Sequence, residues 1–276
     1  MVTQGWMFDA ILYLYALSLL FYFSDFAGAN RKAKRIGTGL LIFVWVLQTI
    51  YLVFNIVQIR IHFVFTWFEA LLLFSWFMVT LSLILNRFFR IEPLVFFANV
   101  IGFAVLALHF FSHPLGTPEV QQGQALNELL FIHVMLAVCS YAAFTFAAIL
   151  SGMYLFLHRQ LKEKNWSPAM KRMPSLEKIE TYTFYSILCG FPLLLLSLVL
   201  GVIFIALRGE NYLLLDPKVL HSTFVLLIYL AYLSLRKFSQ SSSSRLAWWN
   251  MGAFALMIIN FLLINLLSGF HQYIGL

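Results

Sequence analysis

Eight long apolar runs follow one another along this chain and leave few alternatives for its fold. They cover roughly residues 7–27, 38–58, 63–86, 93–112, 128–157, 182–207, 217–236 and 248–270. An α-helix needs about 20 residues to cross the hydrocarbon layer of a membrane, and every run reaches that length. Because lipid offers no hydrogen-bond partners, the backbone polar groups of each run must pair within the segment, as they do in a helix. The pattern predicts an all-α, polytopic membrane helix bundle with eight transmembrane helices, organised as a single integral membrane domain over residues 1–276.

The composition excludes a water-soluble fold. Hydrophobic residues make up 62% of the chain and charged residues 11%, whereas a soluble globular protein carries about 25% charged residues. The first run contains Asp9 and Asp25 near its ends, and no small-residue cleavage site follows it, so we expect a retained span and not a signal peptide.

The basic residues are concentrated on one side of the predicted membrane. Fifteen of the 18 Lys and Arg residues lie in four loops, at 28–37, 87–92, 158–181 and 236–247. Only Arg60, Arg208 and Lys218 fall on the opposite side. Since Lys and Arg accumulate in cytoplasmic loops, both termini are predicted on the extracytoplasmic side. The net charge of +7 therefore reflects topology and contact with anionic membrane lipid, and does not indicate nucleic-acid binding.

The histidines are concentrated on the other side. Six of the seven fall near the predicted outer surface: His62, His109, His113, His133, His221 and His271. A single histidine near the lipid headgroups is common, because its polar end remains hydrated there. Six histidines on one side are stronger evidence for a shared functional role. Histidine is the commonest metal ligand and a usual axial ligand of haem iron. A zinc or copper site is the alternative, although no HxH or HxxxH spacing supports it.

Two acidic residues stand out within or beside the apolar runs. Glu69 lies in "TWFEALLLFSW", and a carboxylate in such surroundings tends to face the bundle interior or a polar cavity, for structural or functional reasons. Asp216 precedes Pro217 in "LLLDPKVLH". Aspartate accepts hydrogen bonds from the free N–H groups at a helix start, and proline at the first helical position sacrifices none. This pair therefore predicts the start of the seventh helix, with Lys218 and His221 in its first turns.

Five stretches, in order, carry a resemblance to a known family: "TWFEALLLFSW", "FIHVMLAVCSYAAF", "GFPLLLLSLVLG", "LLLDPKVLHSTFVLLIYLAYLSLR" and "NLLSGFHQYIGL". They resemble the spans and the closing histidine element of the cytochrome c assembly family, the CcsA and CcmC haem handlers. The resemblance covers roughly residues 63–276. His133 and His271 match the family's two outward histidines, which implies that they are the axial ligands of a haem iron.

Other positions take their expected roles from the same resemblance. Lys218 and Arg208 are expected to pair with haem propionates. The tentative haem surroundings comprise Glu69, Arg208, Asp216, Lys218 and His221. The sequence departs from the family in two places. The loop "RGENYLLLDPK" has leucines and Tyr212 where the family has tryptophans, and Ser82 and Ser234 stand where full-length members have histidines within the membrane. The resemblance thus implies an outer haem site without the inner one.

The amino-terminal segment and the eight runs together resemble the branch of this family that is encoded in bacterial haem-biosynthesis operons. That resemblance implies a multi-pass protein of the bacterial cell membrane that binds haem as its cofactor. It also implies control of haem synthesis by lowering the level of glutamyl-tRNA reductase, a cytoplasmic partner reached through loop 158–181. No catalytic constellation or phosphate loop is evident, so we do not expect an enzyme. The alternatives are a haem-free regulatory scaffold, and a haem transporter or cytochrome c assembly component.

Overall fold

The structure is a computed structural model that describes residues 2–28, 30–62, 67–88, 92–108, 124–164, 170–209, 211–238 and 242–262. These residues form eight α-helices: α1 Val2–Gly28, α2 Arg31–His62, α3 Trp67–Phe88, α4 Glu92–Ala107, α5 Gln124–Lys162, α6 Leu176–Arg208, α7 Pro217–Phe238 and α8 Ser243–Leu262. Two short 3₁₀ helices, Met170–Arg172 and Asn211–Leu215, lie in the α5–α6 and α6–α7 connections.

Each of the eight apolar runs overlaps one of these helices. No β-strand occurs in the described ranges, so the all-α prediction is confirmed for that part of the chain. Six helices (α1, α2, α3, α5, α6 and α7) are long and apolar enough to cross a membrane. Helix α4 is apolar but shorter, with 16 residues. The presence of membrane-spanning helices is therefore confirmed, and the number of eight spans stays a prediction.

Residues 1–114 form a first compact unit, called unit 1. Helices α1 and α3 each pack against both α2 and α4, so the four helices close into a ring. The centre of the ring is polar. The Tyr15 hydroxyl donates to Asn99 Oδ1 at 3.0 Å, and Asn99 Nδ2 donates to Ser82 Oγ at 2.8 Å. Gln48 Nε2 donates to Ser75 Oγ at 3.1 Å. All five side chains are fully buried, so hydrogen bonds between the helices occupy the core of unit 1.

Residues 115–276 form a second compact unit, called unit 2. Helix α5 packs against α6 and α8, and α7 packs against the same two helices. The core is aromatic and aliphatic. Phe144 of α5 stacks on Tyr229 of α7 with ring centroids 3.8 Å apart and planes 6° apart. Whether the two units make up one domain, as the sequence suggested, stays a prediction.

The connection predicted as loop 158–181 is shorter than expected. Helix α5 continues to Lys162 and α6 begins at Leu176, so 11 of the 24 residues of the predicted loop belong to these two helices. The reason is that Arg, Lys and Glu are good helix formers, and a helix does not have to end where its apolar run ends. Outside α5 and α6, the described part of this connection contains only one short 3₁₀ helix, Met170–Arg172.

The α6–α7 connection has well-defined ends. Helix α6 ends at Arg208, and Gly209 follows with φ 75°, a left-handed conformation that glycine adopts without steric cost. Helix α7 begins at Pro217, and Asp216 Oδ1 accepts a hydrogen bond from the Lys218 N–H at 2.8 Å. The predicted helix start at Asp216 and Pro217 is confirmed.

Candidate functional site

One end of unit 2 brings together the start of α5, the end of α6, the 3₁₀ helix Asn211–Leu215 and the start of α7. We call this region the α6–α7 corner. Its apolar centre consists of four buried residues: Leu130, Phe204, Ile205 and Leu213. Val134 of α5 and Val219 of α7 pack against this cluster. The two valines are sequence neighbours of His133 and Lys218, so this packing holds both predicted site residues in one region.

His133 is hydrogen-bonded to one residue of α6, Ser197. Its Nδ1 lies 2.6 Å from the carbonyl oxygen of Ser197, and the Ser197 hydroxyl donates to the carbonyl oxygen of His133 at 3.0 Å. A carbonyl oxygen can only accept, so Nδ1 carries the proton and donates it. In the neutral ring, Nε2 then keeps its lone pair. Among the described residues, none hydrogen-bonds to Nε2.

A glycine on α6 lies against the same ring. A Cβ atom added to Gly201 would be 3.0 Å from Cε1 and 3.2 Å from Nδ1 of His133. Distances this short are tighter than most real Cβ contacts. Gly201 therefore allows the imidazole to approach the backbone of α6, one helical turn beyond Ser197. The ring is oriented by α6 before any ligand binds.

Basic groups lie beside the histidine. The half-buried Lys218 ammonium interacts electrostatically with the His133 ring and with the carboxylate of Asp216. Arg208, also half-buried, is the last residue of α6. Positive charge next to a lone-pair donor suits a ligand that carries both a metal and anionic groups. The structure thus places His133, Lys218, Asp216 and Arg208 at the same corner of unit 2.

His221 lies one turn further along α7. On the helix it falls between Lys218 and the buried Val225, three residues after the first and four before the second, and therefore on the same face. Its Nδ1 is buried and has no hydrogen-bond partner among the described residues.

Three predicted positions, Glu69, Ser82 and Ser234, are not among the residues of the α6–α7 corner. His271 is outside the described residues, so its pairing with His133 stays a prediction. Glu69 belongs to unit 1, where it is half-buried in the first turn of α3. Its membership of the haem surroundings also stays a prediction. The two serines at the family's histidine positions differ in burial. Ser82 is buried in the polar core of unit 1, and Ser234 is exposed on α7.

Ser197 and Gly201 are the residues that sequence reasoning missed. Both lie in "GFPLLLLSLVLG", one of the five stretches that carry the family resemblance. A signal was present, because two small residues four apart in an apolar helix mark a face where another helix approaches closely. Nothing in the sequence alone indicates that His133 is the side chain that approaches.

The arrangement can bind a metal through one neutral imidazole with a fixed tautomer. A backbone carbonyl that accepts from Nδ1–H is the usual support for a histidine that ligates through Nε2. Within the described residues no group of three or more His, Cys, Asp or Glu side chains could hold a metal ion. The single neutral imidazole of His133 has the form in which histidine ligates haem iron.

Comparisons with known proteins point to one family. A family model described as "Cytochrome C assembly protein" matches residues 64–271. "Protein HemX" of Brevibacillus brevis is 43% identical over 274 residues, which cover 99% of this chain and 100% of that protein. "Protein HemX" of Bacillus subtilis (strain 168) is 39% identical over 265 residues, covering 96% of each chain.

A more distant relative is "Cytochrome c biogenesis protein CcsA" of Prochlorococcus marinus (strain MIT 9515), 29% identical over 164 residues, which cover 52% of this chain and 53% of that protein. No solved structure matches the chain. The resemblance drawn from the five sequence stretches is thereby confirmed. With six helices able to span a membrane and these relatives, the chain is a multi-pass membrane protein and belongs to the cytochrome c assembly protein family.

Proposed function

We propose that this protein binds haem at the α6–α7 corner and handles or senses it in the control of haem biosynthesis. The observation that carries the proposal is the state of His133. Its Nδ1–H donates to the Ser197 carbonyl, which leaves Nε2 with a lone pair and no described partner. An axial ligand of haem iron needs this tautomer. His271 is proposed as the second axial ligand.

The other residues of the corner suit the remainder of a haem molecule. Haem is a flat, apolar ring with two carboxylate groups, and when bound it supplies an iron that takes two axial ligands. Lys218 and Arg208 would balance the charge of the carboxylates. Asp216 would keep the start of α7, and with it Lys218, in position. Exposed apolar side chains nearby, among them Tyr212 and Leu215, offer surface to the ring.

The proposed topology has eight spans and both termini on the extracytoplasmic side. It rests on the distribution of basic residues: the α1–α2, α3–α4, α5–α6 and α7–α8 connections and the helix ends beside them hold 15 of the 18 Lys and Arg residues. In this orientation the α6–α7 corner lies at the outer surface of the bacterial cell membrane. A cytoplasmic partner would then meet the α5–α6 connection. By analogy with the relatives' branch of the family, glutamyl-tRNA reductase is the proposed partner, and its level would fall.

Binding and regulation are favoured over transport or catalysis. A conduit for haem would need space and ligands within the membrane. In unit 1, Ser82 occupies the relevant position, is fully buried and is hydrogen-bonded to Asn99, which also accepts from Tyr15. A hydroxyl cannot replace imidazole as an iron ligand, and these hydrogen bonds join α1, α3 and α4. We therefore propose one haem per chain, and no enzymatic activity.

The test is the visible absorption spectrum of the purified full-length protein titrated with haem, before and after reduction with dithionite. We expect a Soret band that saturates at one haem per chain. Replacing either proposed ligand, in His133→Ala or His271→Ala, should reduce the band strongly, because one axial ligand is lost. His158→Ala is the matched control, since His158 is exposed at the far end of α5 and stacks on Tyr154.

A full Soret band in the double variant of His133 and His271 would rule out this ligand assignment. The same variants distinguish a haem-dependent regulator from a haem-free regulatory scaffold. The scaffold is the alternative that is favoured by the leucines at the family's tryptophan positions. In cells, the scaffold predicts a glutamyl-tRNA reductase level that is unchanged by either histidine substitution. A haem-dependent regulator predicts that the level changes in both.

A further inference from the structure

The unpartnered nitrogen of His221 is the polar atom of the α6–α7 corner that the proposed haem ligation leaves unused. Its Nδ1 is buried, and none of the described residues hydrogen-bonds to it. Native proteins satisfy nearly all buried polar groups, because an unmade hydrogen bond in the interior leaves a desolvation penalty uncompensated. A nitrogen left in this way beside the proposed haem site is available to pair with a ligand.

The position of His221 on α7 places it on the same helix face as Lys218. Lys218, one turn before it on the same face, interacts electrostatically with the His133 ring. Ser222, the next residue, is buried, and Val225, one turn later, belongs to the core cluster with Phe144 and Tyr229. His221 thus lies between the charged start of α7 and the apolar core, on the side of the helix that faces the rest of unit 2.

The chemistry of the two α7 side chains specifies the group that they would hold. Lysine offers a positive charge with three donors, and a neutral imidazole offers one directed N–H. A carboxylate accepts from both and gains charge-assisted hydrogen bonds, which are stronger than those between neutral groups. We propose that His221 donates its Nδ1–H to a carboxylate of the ligand that His133 holds and, together with Lys218, selects a ligand with free carboxylates. This inference rests on the proposed haem site.

The test compares haem with haem dimethyl ester, in which both carboxylates are blocked, by titrating the purified full-length protein with each. In the wild-type protein haem should bind more tightly than the ester. His221→Ala should weaken haem binding by about tenfold or more, the loss expected for a hydrogen bond to a charged group. It should leave the affinity for the ester unchanged, because the ester has no carboxylate to select.

Two conservative variants identify which ring nitrogen of His221 donates to the carboxylate. The amide nitrogen of Asn can occupy about the position of Nδ1, whereas that of Gln reaches toward the position of Nε2. We therefore expect His221→Asn to restore the preference for haem over the ester and His221→Gln not to restore it. His158→Ala again serves as the control, with both affinities at wild-type level. If His221→Ala fails to fold, the comparison of His221→Asn with His221→Gln still tests whether Nδ1 donates to the carboxylate.

Equal losses for haem and the ester in His221→Ala would overturn the inference, because a side chain that only packs affects both ligands alike. No loss for either ligand would also overturn it. In both cases the haem site itself would stand, since the wild-type protein would still show its Soret band. A wild-type protein that binds neither ligand would instead contradict the proposed function, so the two failures are distinguishable.

Discussion

At the residue scale, the environment of His133 shows how a single side chain is prepared for a ligand. A histidine in an apolar helix has two nitrogens, and its chemistry depends on which of them is protonated. Here the Ser197 carbonyl selects Nδ1–H, and Gly201 leaves room for the ring. The serine hydroxyl also donates to the His133 carbonyl, so α5 and α6 are tied at this point. The orientation is therefore a property of the pair of helices.

Gly201→Ala tests that orientation. The new methyl group would lie 3.0 Å from Cε1 of His133, so the imidazole or α6 must shift. We expect a loss of about 1–3 kcal/mol in stability, as for other overpacked positions, and a weaker or shifted Soret band. Thermal unfolding in detergent and haem titration measure the two effects.

Gly152→Ala, also in unit 2, is the matched control for that substitution. Nothing lies within 4 Å of the Cβ that it would add. Because alanine is the better helix former, it should stabilise by about 0.5–1 kcal/mol and leave haem binding unchanged. Equal behaviour of the two alanine variants would contradict the proposed contact between Gly201 and His133.

At the scale of the secondary-structure elements, the sequence predicted the helices well and their ends unevenly. The start of α7 was predicted correctly, because Asp and Pro before an apolar run have a local effect on the backbone. The end of α5 and the start of α6 were not, since charged helix formers extend both helices beyond the apolar runs. The apolar pattern predicts which residues contact lipid or the protein core. The residue at which a helix ends depends instead on helix propensity.

Removing the cap of α7 should affect both stability and the site. Asp216→Ala abolishes the hydrogen bond from the Lys218 N–H and should cost about 0.5–2 kcal/mol, whereas Asp216→Asn should retain most of it. Because Lys218 lies in the capped turn, we also expect Asp216→Ala to weaken haem binding. Chemical denaturation and haem titration provide the measurements.

Asn30 offers a matched control, because it caps α2 in unit 1 in the same way. Its Oδ1 accepts from the N–H groups of Lys32 and Ala33 at 3.1 and 3.3 Å. Asn30→Ala should lower the free energy of unfolding by about as much as Asp216→Ala does, and it should leave the haem affinity unchanged. If the two cap variants affected haem equally, the role of Asp216 at the site would be disproved.

At the scale of the whole molecule, the described residues form four helices in each of two units, and the two cores differ. Unit 1 contains buried hydrogen bonds between helices, and unit 2 contains stacked aromatic rings and the candidate site. Hydrophobic burial does not drive helices together within lipid, so packing and interhelical hydrogen bonds carry that role. The two units use these two means in different proportion, and the residues proposed to ligate or select haem all fall in the sequence range of unit 2.

The proposed topology can be tested by cysteine labelling. In a background where Cys139 and Cys189 are replaced by alanine, Leu215→Cys and Lys164→Cys place one thiol in the α6–α7 connection and one in the α5–α6 connection. Both positions are exposed. A membrane-impermeant maleimide should label Leu215→Cys in intact cells and Lys164→Cys only after permeabilisation. The reverse pattern would invert the proposed orientation and place the candidate haem site in the cytoplasm.

The sequence by itself determined the all-α membrane architecture, the family and the identity of His133, Lys218 and Asp216 as residues of interest, because hydropathy, cap chemistry and motifs act over short stretches of chain. Only the tertiary structure decided that Ser197 and Gly201, more than 60 residues after His133, hold its imidazole and select its tautomer. It also decided that Ser82 is committed to the polar core of unit 1. These contacts depend on which faces of distant helices meet, and that is settled by packing across the whole bundle.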